Sequence, residues 1–265
     1  MPAFSEPEAY GRWMGRWSER LAPDFVRFAG LTEGCRVVDV GAGTGVLGSA
    51  IGQLVSQVEV VGVEPSVEYV AFARALHTDK RLSFEVGDAQ GLAFPDDSFD
   101  ASLALLILQE VPDAEKAAGE MRRVTRPGGT VAACQWDFRD GMPMLALFWD
   151  AVCEARPDTQ TRQEAVNRVP LGYSDSESLV RLWSKADLRS VETLGLEISM
   201  SFASFDDYWR PFLSGATSTS SYAATLLDSV RETVVQTLRK RLIGDGPDRP
   251  FDLPASAWAV RGIVP

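Results

Sequence analysis

Short apolar runs alternate with amphipathic stretches through the first half of the chain. RVVDV (36–40), VEVVGVE (58–64), LSFEVGD (82–88), FDASLALLIL (99–108) and GTVAACQWD (129–137) have the length and bulk of buried strands. Between them, GVLGSAIGQLV (45–55), SVEYVAFARALH (66–77) and DAEKAAGEMRRVT (113–125) carry helical spacing. Apolar strands separated by helices predict a parallel sheet covered on both faces. Right-handed crossovers then give an α/β, Rossmann-like, doubly wound sheet.

The second half is less regular. PMLALFWDAVCEA (143–155) and SDSESLVRLWSKADL (174–188) read as helices, the second behind a Ser or Asp cap. SVETLGLEISMSF (190–202) and ASAWAVRGIVP (255–265) read as strands, which brings the mostly parallel sheet to seven. SFDDYWRPFL (204–213) follows Ser204, with Asp207 three positions on, close to a capping box. SYAATLLDSVRETVVQTLRKRLIG (221–244) reads as one long amphipathic helix stopped by Gly244.

Composition narrows the function without naming it. The formal net charge is −11, and the longest basic run, RKR at 239–241, ends a predicted helix, where cations suit the dipole. No nucleic-acid partner is therefore expected. Cys35, Cys134 and Cys153 have no paired spacing, and His77 is the single histidine, so neither a disulfide framework nor a metal site is expected. His77 reads as structural or solvent-facing. No apolar window reaches the roughly 18 residues of a membrane span, and MPAFSEPEAY lacks a signal core, so a cytoplasmic location is expected.

The chemistry concentrates in VVDVGAGTGVLG (37–48), where four glycines follow the first strand. Gly41, Gly43 and Gly45 can turn the chain sharply into a helix and present bare backbone to a ligand at the carboxyl end of the sheet. A literal G-x-G-x-x-G runs from Gly43 to Gly48, and Glu64 ends the next strand, as a dinucleotide fingerprint requires. The turn, however, begins earlier, at Gly41, and acid-x-Gly-x-Gly-x-Gly describes it better. Asp39 then suits an ammonium-bearing ligand, or a role in orienting the loop, and would repel a nearby pyrophosphate.

VVDVGAGTG resembles the first motif of class I S-adenosylmethionine-dependent methyltransferases. VVGVEPS (60–66), VGDAQGLAFPDDSFD (86–100), FDASLALLILQEVPD (99–113) and RRVTRPGGTVAACQWD (122–137) resemble the four that follow, in order. The spacing is similar to that of the small-molecule ubiquinone and menaquinone C-methylating enzymes. The resemblance covers about residues 35 to 137 and implies S-adenosyl-L-methionine as cofactor. It assigns Asp39, Gly41, Ala42, Gly43 and Gly45 to the cofactor loop, and Glu64 to the two ribose hydroxyls. Asp88 and Ala89 match the positions at the adenine edge. Pro65 and Leu106 would sandwich the adenine, with Leu105 beside them. Each has a plainer reading: Glu64 as a helix cap, Asp88 as the organiser of the Gly91 turn, Leu106 as core. On this basis residues 1–30 form an N-terminal helical cap and 31–138 the cofactor-binding core. Residues 139–265 supply the remaining strands and inserted helices, a possible lid, all within one domain.

The expected activity is methyl transfer to a small-molecule acceptor. The acceptor atom, a general base and the oligomeric state are not legible. Many relatives carry His or Arg after the fourth strand; here Gln109 and Glu110 follow, which excludes a histidine base. Gln109 could position a substrate or finish the strand. Tyr10, Trp13 and Trp17 form an aromatic stripe at helical spacing, either roofing the site or packing on the core. Trp136, Trp209 and Tyr208 are further substrate-side candidates, and Arg12 or Arg16 could pair with the methionine carboxylate. Two other classes stay open. An NAD(P)-dependent oxidoreductase would share the fold, though the sequence has no Tyr-x-x-x-Lys pair. A non-catalytic adenosyl-ligand-binding protein would keep the same loop.

Overall fold

β1 (Arg36–Val40) alternates its side chains between two cores. Val37 packs with Phe25, Leu47 and Ile51 on one face, while Val38 and Val40 pack with Ala117, Met121 and Leu182 on the other. A strand buried on both faces must have helices on both sides, and the computed structural model, which describes residues 11–167, 172–214 and 217–265, has them. The helices are α1 (Arg16–Ala29), α2 (Val46–Leu54), α3 (Val67–Leu76), α4 (Ala114–Val124), α5 (Pro143–Ala155), α6 (Thr159–Asn167), α7 (Ser176–Lys185), α8 (Phe205–Trp209), α9 (Ser218–Thr225) and α10 (Asp228–Ile243). The other strands are β2 (Glu59–Glu64), β3 (Leu82–Val86), β4 (Phe99–Leu105), β5 (Thr125–Trp136), β6 (Arg189–Phe202) and β7 (Phe251–Ile263).

The seven strands lie in the order β3-β2-β1-β4-β5-β7-β6. β3 through β5 are parallel, with Val38 beside Val61 and Ser102, whereas β7 is antiparallel to both neighbours. The chain reverses its direction of winding between β1 and β4, and open sheets of this kind bind ligands at that switch point, outside the carboxyl ends of the strands.

β6 and β7 run on past the end of β5. Trp136, its last residue, pairs with Ala257, yet the β6–β7 ladder continues to Phe202 opposite Phe251. This extension carries the cap over the carboxyl edge of the sheet. Trp17 packs edge-on against Phe202, and Trp13 against Phe212 of the 3-10 turn Arg210–Leu213. Tyr208 is fully buried and donates its hydroxyl to the Met144 carbonyl at 2.9 Å. Each large side chain buried here contributes about 1.5–3 kcal/mol of apolar transfer.

Two elements differ from the pattern read in the sequence. The segment 221–244 is not one helix: α9 ends at Thr225 and α10 begins at Asp228. Leu226 is buried and Leu227 is 74% exposed, both with extended ψ, and the Arg231 guanidinium donates to the Leu226 carbonyl at 2.7 Å. Helical periodicity runs unbroken through this break, with no Gly or Pro to mark it. α6, too polar to show a clear face, had no predicted counterpart. Among the described residues no helix is long and apolar enough to cross a membrane.

Candidate functional site

The turn after β1 is held open by its surroundings. Gly41 has φ 75°, and a Cβ there would lie 2.6 Å from Ile107 Cγ2, so only glycine fits. Gly43 has φ 54°, and a Cβ there would meet nothing within 4 Å. The first position is fixed by packing; the second leaves bare peptide. Gly45 caps α2 with φ 84°, and a Cβ there would strike His77 at 2.7 Å and Phe84 at 2.8 Å. Its requirement is for packing behind the loop.

Glu64 ends β2 directly beside this loop. Its Oε2 accepts the Gly43 N–H and its Oε1 the Ser66 N–H, each at 3.1 Å. A carboxylate has about four lone-pair positions, so two stay available for a pair of ligand hydroxyls. Burial raises the Glu64 pKa against the lowering effect of those two N–H groups. Helix α3 is capped by Ser66, whose Oγ accepts from Tyr69 N–H, so capping is not the task of Glu64.

Asp39 is 1% exposed and its Oδ2 has no hydrogen-bond partner. Burial, with Glu64 as a nearby like charge, pushes its pKa up to about 7; the Gly48 N–H opposes this. An unpartnered carboxylate oxygen buried beneath a bare loop calls for a positive ligand group.

A cavity of about 1100 Å³ opens at the switch point, larger than a typical single-ligand pocket. Asp39, Gly41, Ala42, Gly43, Glu64, Pro65, Asp88, Ala89, Leu105 and Leu106 all line it, together with Trp13, Gln109 and Trp136. Asp88 does organise a turn: its carbonyl accepts the Gly91 N–H at 3.0 Å and its Oδ1 the Gln90 N–H at 2.9 Å. Its side chain is nonetheless exposed at the cavity.

Other expected site residues lie elsewhere. Gly45 is not part of the lining, because its open side is filled by His77 and Phe84. Trp17 is 1% exposed in the core against Phe202, so the stripe divides: Trp13 reaches the cavity and Trp17 does not. Trp209 and Tyr208 are buried in the aromatic cluster with Phe148, Phe212 and Phe202, away from the lining. Arg16 is bound to Asp207 at 2.8 Å and stacks over Trp17, so it is not directed at the cavity. Tyr10 and the side chain of Arg12 lie outside the described residues.

Three features were not foreseen. Leu106, just past β4, has φ 63°, a left-handed conformation that a leucine rarely adopts. It turns the following residues into the cavity wall. Buried Gln135 from β5, oriented with its amide oxygen toward them, accepts the Ile107 and Leu108 N–H groups at 2.9 and 2.7 Å and holds that turn. Finally, His77 Nε2 lies 2.9 Å from the Thr44 carbonyl oxygen, behind the glycine loop.

The charge of the lining is one-sided. Asp39, Glu64, Glu68, Asp88 and Glu110 contribute carboxylates, while no Lys, Arg or His lines the cavity among the described residues. Such a site favours a cationic ligand and opposes a pyrophosphate.

Comparison with known proteins agrees with this geometry. A family model described as a methyltransferase domain matches residues 38–133. An uncharacterised protein of Mycobacterium tuberculosis is 34% identical over 116 residues; the match spans 44% of this chain but only 42% of that protein. The demethylmenaquinone methyltransferase of Renibacterium salmoninarum is 30% identical over 172 residues, covering 65% of this chain and 68% of the relative. The phosphoethanolamine N-methyltransferase 2 of Haemonchus contortus, solved with phosphomonomethylethanolamine and S-adenosylhomocysteine, shares the fold at 17% identity and a TM-score of 0.59. That match covers 98% of this chain and 57% of the other. With a relative of this identity matched over two thirds of its length, and with the family model lying across β1 to β5, the chain belongs to the class I S-adenosylmethionine-dependent methyltransferases.

Proposed function

We propose that this chain transfers a methyl group from S-adenosylmethionine to a small-molecule acceptor by in-line displacement. The observation that carries the reading is the pairing of Glu64 with the Gly43 N–H at the wall of a cavity that Asp39, Asp88 and Ala89 also line. Relatives named as methyltransferases act on demethylmenaquinone or phosphoethanolamine, and one is solved with S-adenosylhomocysteine. These support a small-molecule acceptor here.

When bound, the cofactor supplies an electrophilic methyl group on a sulfonium. The protein then has to position groups and exclude water. The naked peptide at Gly41–Gly43 would give the cofactor its bed, and Glu64, which accepts the Gly43 and Ser66 N–H groups, would receive the ribose hydroxyls on its remaining lone pairs. Asp39, buried in the cavity lining, would offer its negative charge to the positive end of the ligand. Asp88 and Ala89 would meet the adenine edge, and Pro65, Leu105 and Leu106, which line the same cavity, would close on its faces. Trp13, Trp136, Phe138 and Leu145 make the acceptor half apolar, and Thr217, Ser218 and Thr219 of the inserted segment line the same cavity. Orientation of two reactants in such a cavity can supply up to roughly 7–11 kcal/mol of the barrier.

A nicotinamide-dependent oxidoreductase is the less favoured reading, because the acidic lining would oppose a pyrophosphate. Parallel titrations with S-adenosylmethionine and NADH separate the two. Heat from the first alone supports methyl transfer; heat from NADH alone sinks it.

A further inference from the structure

The loop 87–98 joins β3 to β4 and brings Asp88 and Ala89 to the cavity. Beyond turns and the Asp88–Gly91 bridge it has no regular structure of its own, so its shape depends on what it leans against. That support is α4. Glu120 Oε2 accepts the Leu92 N–H at 2.8 Å, and Arg123 Nη2 donates to the Leu92 carbonyl at 2.9 Å. Arg123 Nη1 donates to the Phe94 carbonyl and to Asp96 Oδ1, both at 2.8 Å. Arg123 and Glu120 are themselves joined by two hydrogen bonds, at 2.7 and 2.8 Å. The guanidinium makes five hydrogen bonds, as many as it has N–H donors. To Leu92 the ion pair presents one acceptor and one donor, as a neighbouring strand would.

Gln90 ties the other end of the loop to the same helix. Its Oε1 accepts the N–H of Asp113, the N-cap of α4, at 3.1 Å. Its Nε2 faces both Asp88 carboxylate oxygens, at 3.3 and 3.4 Å, and its own N–H donates to Asp88 Oδ1 at 2.9 Å. Among the described residues neither Gln90 nor any residue of α4 lines the cavity. A carboxylate only accepts, so Asp88, fixed to Gln90 on the loop side, offers the cavity further acceptor positions. A purine with an exocyclic amine meets that edge with a donor. A purine with a carbonyl in the same place meets it with a second acceptor.

We propose that Gln90 and the Glu120–Arg123 pair are positioning residues for base recognition: from outside the cavity they hold the Asp88–Ala89 edge in the orientation that receives an amino purine and turns away an oxo purine. The proposal rests on the methyltransferase reading, in which that edge meets adenine. It assigns the selectivity to α4, a helix with no residue of its own in the described lining.

The test is calorimetric titration of S-adenosylhomocysteine and of S-inosylhomocysteine, in which a carbonyl replaces the amine, into the wild type, Gln90→Met, Gln90→Glu and Arg123→Met. We expect the wild type to prefer S-adenosylhomocysteine by roughly tenfold or more. In Gln90→Met and Arg123→Met the preference should fall to about threefold or less, because the amino purine loses affinity while the oxo purine changes little. Gln90→Glu keeps an acceptor for the Asp113 N–H but loses the donor to Asp88, and should lower the preference at least as far as Gln90→Met. Gln90 is half-buried on a loop, so its variants carry the test alone should Arg123→Met fail to fold. A part that merely supported the fold would weaken both compounds equally. That result, a wild type without preference, or a preference undiminished in the Gln90 variants overturns the proposal and leaves the methyltransferase reading standing. Failure of S-adenosylhomocysteine itself to bind the wild type is a different result, which removes that reading and this inference together.

Discussion

His77 Nε2 stands 2.9 Å from the carbonyl oxygen of Thr44, and the imidazole fills the space that a side chain at Gly45 would need. A carbonyl only accepts, so this ring nitrogen carries the proton. The single histidine of the chain thereby braces the glycine loop from behind, tilted against Phe84. We expect His77→Ala to weaken S-adenosylmethionine binding by roughly tenfold and to lower stability by about 1–2 kcal/mol, the worth of one hydrogen bond plus lost packing. His77→Gln, which keeps a donor, should recover part of the affinity. Unaltered affinity in His77→Ala would show that the loop needs no brace.

The glycines of the loop predict different outcomes. Gly43→Val points its side chain into open cavity space and should abolish cofactor binding, with a stability loss of about 1–2 kcal/mol for a β-branched residue at φ 54° that still leaves the protein folded. Gly41→Val drives into Ile107 at a left-handed backbone and should also destabilise the fold, by about 2–4 kcal/mol. Denaturant unfolding beside calorimetry distinguishes the two. Equal loss of stability in both variants would contradict the assignment.

Asp39 gives the pH dependence. Its pKa in the folded state is pushed up to about 7, above the ordinary carboxylate value of 3.8, because the buried charge is disfavoured. A raised acid stabilises the fold only while protonated. That contribution is full below the ordinary value and is lost as pH rises through about 7. Asp39→Asn should therefore stabilise the ligand-free protein most above pH 7 and least near pH 4, by at most about 4 kcal/mol. Binding of a cation favours ionised Asp39, so it releases a proton and tightens as pH rises through about 7. Titrations in buffers of different ionisation enthalpy read that proton directly, and zero release contradicts the role.

Arg16 belongs to the cap. Its Nη1 meets Asp207 Oδ1 at 2.8 Å, and Asp207 in turn accepts the Ala203 N–H at 3.0 Å. The guanidinium also lies 4.2 Å from the centre of the Trp17 ring. Both charged groups are about one-third exposed, so the pair is worth about 1 kcal/mol or less after screening. Arg16→Ala should lower stability modestly, within about 1–2 kcal/mol once the stacking is included, and leave S-adenosylmethionine affinity within twofold. A large loss of affinity would mean that Arg16 reaches the ligand after all.

Much of this fold was legible because buried parallel strands announce themselves. RVVDV and VEVVGVE have one possible environment, and acid-x-Gly-x-Gly-x-Gly has few. The loop, Glu64 and the Asp88 turn could therefore be named from residues alone. The cap could not. Trp13 and Trp17 have the same chemistry and helical spacing, and only the extended β6–β7 ladder, which supplies Phe202 to one of them, decides which faces the cavity. Trp209 is buried by Phe148, just over sixty residues earlier. Left-handed Leu106 has no sequence signal, because leucine is the wrong residue for that conformation and tertiary hydrogen bonds donated by its neighbours to the Gln135 oxygen maintain it. The break at Leu226–Leu227 is likewise a tertiary effect, stabilised by Arg231.

The central claim is that Glu64 anchors the cofactor while tying down the loop on which it lies. Calorimetric titration of S-adenosylmethionine into the wild type and into Glu64→Ala tests it most directly. The account predicts a clear saturable heat in the wild type and a loss of at least about hundredfold in affinity in the variant, with the far-ultraviolet dichroism of the two unchanged. Equal affinity in the two proteins, or no binding in either, would contradict it.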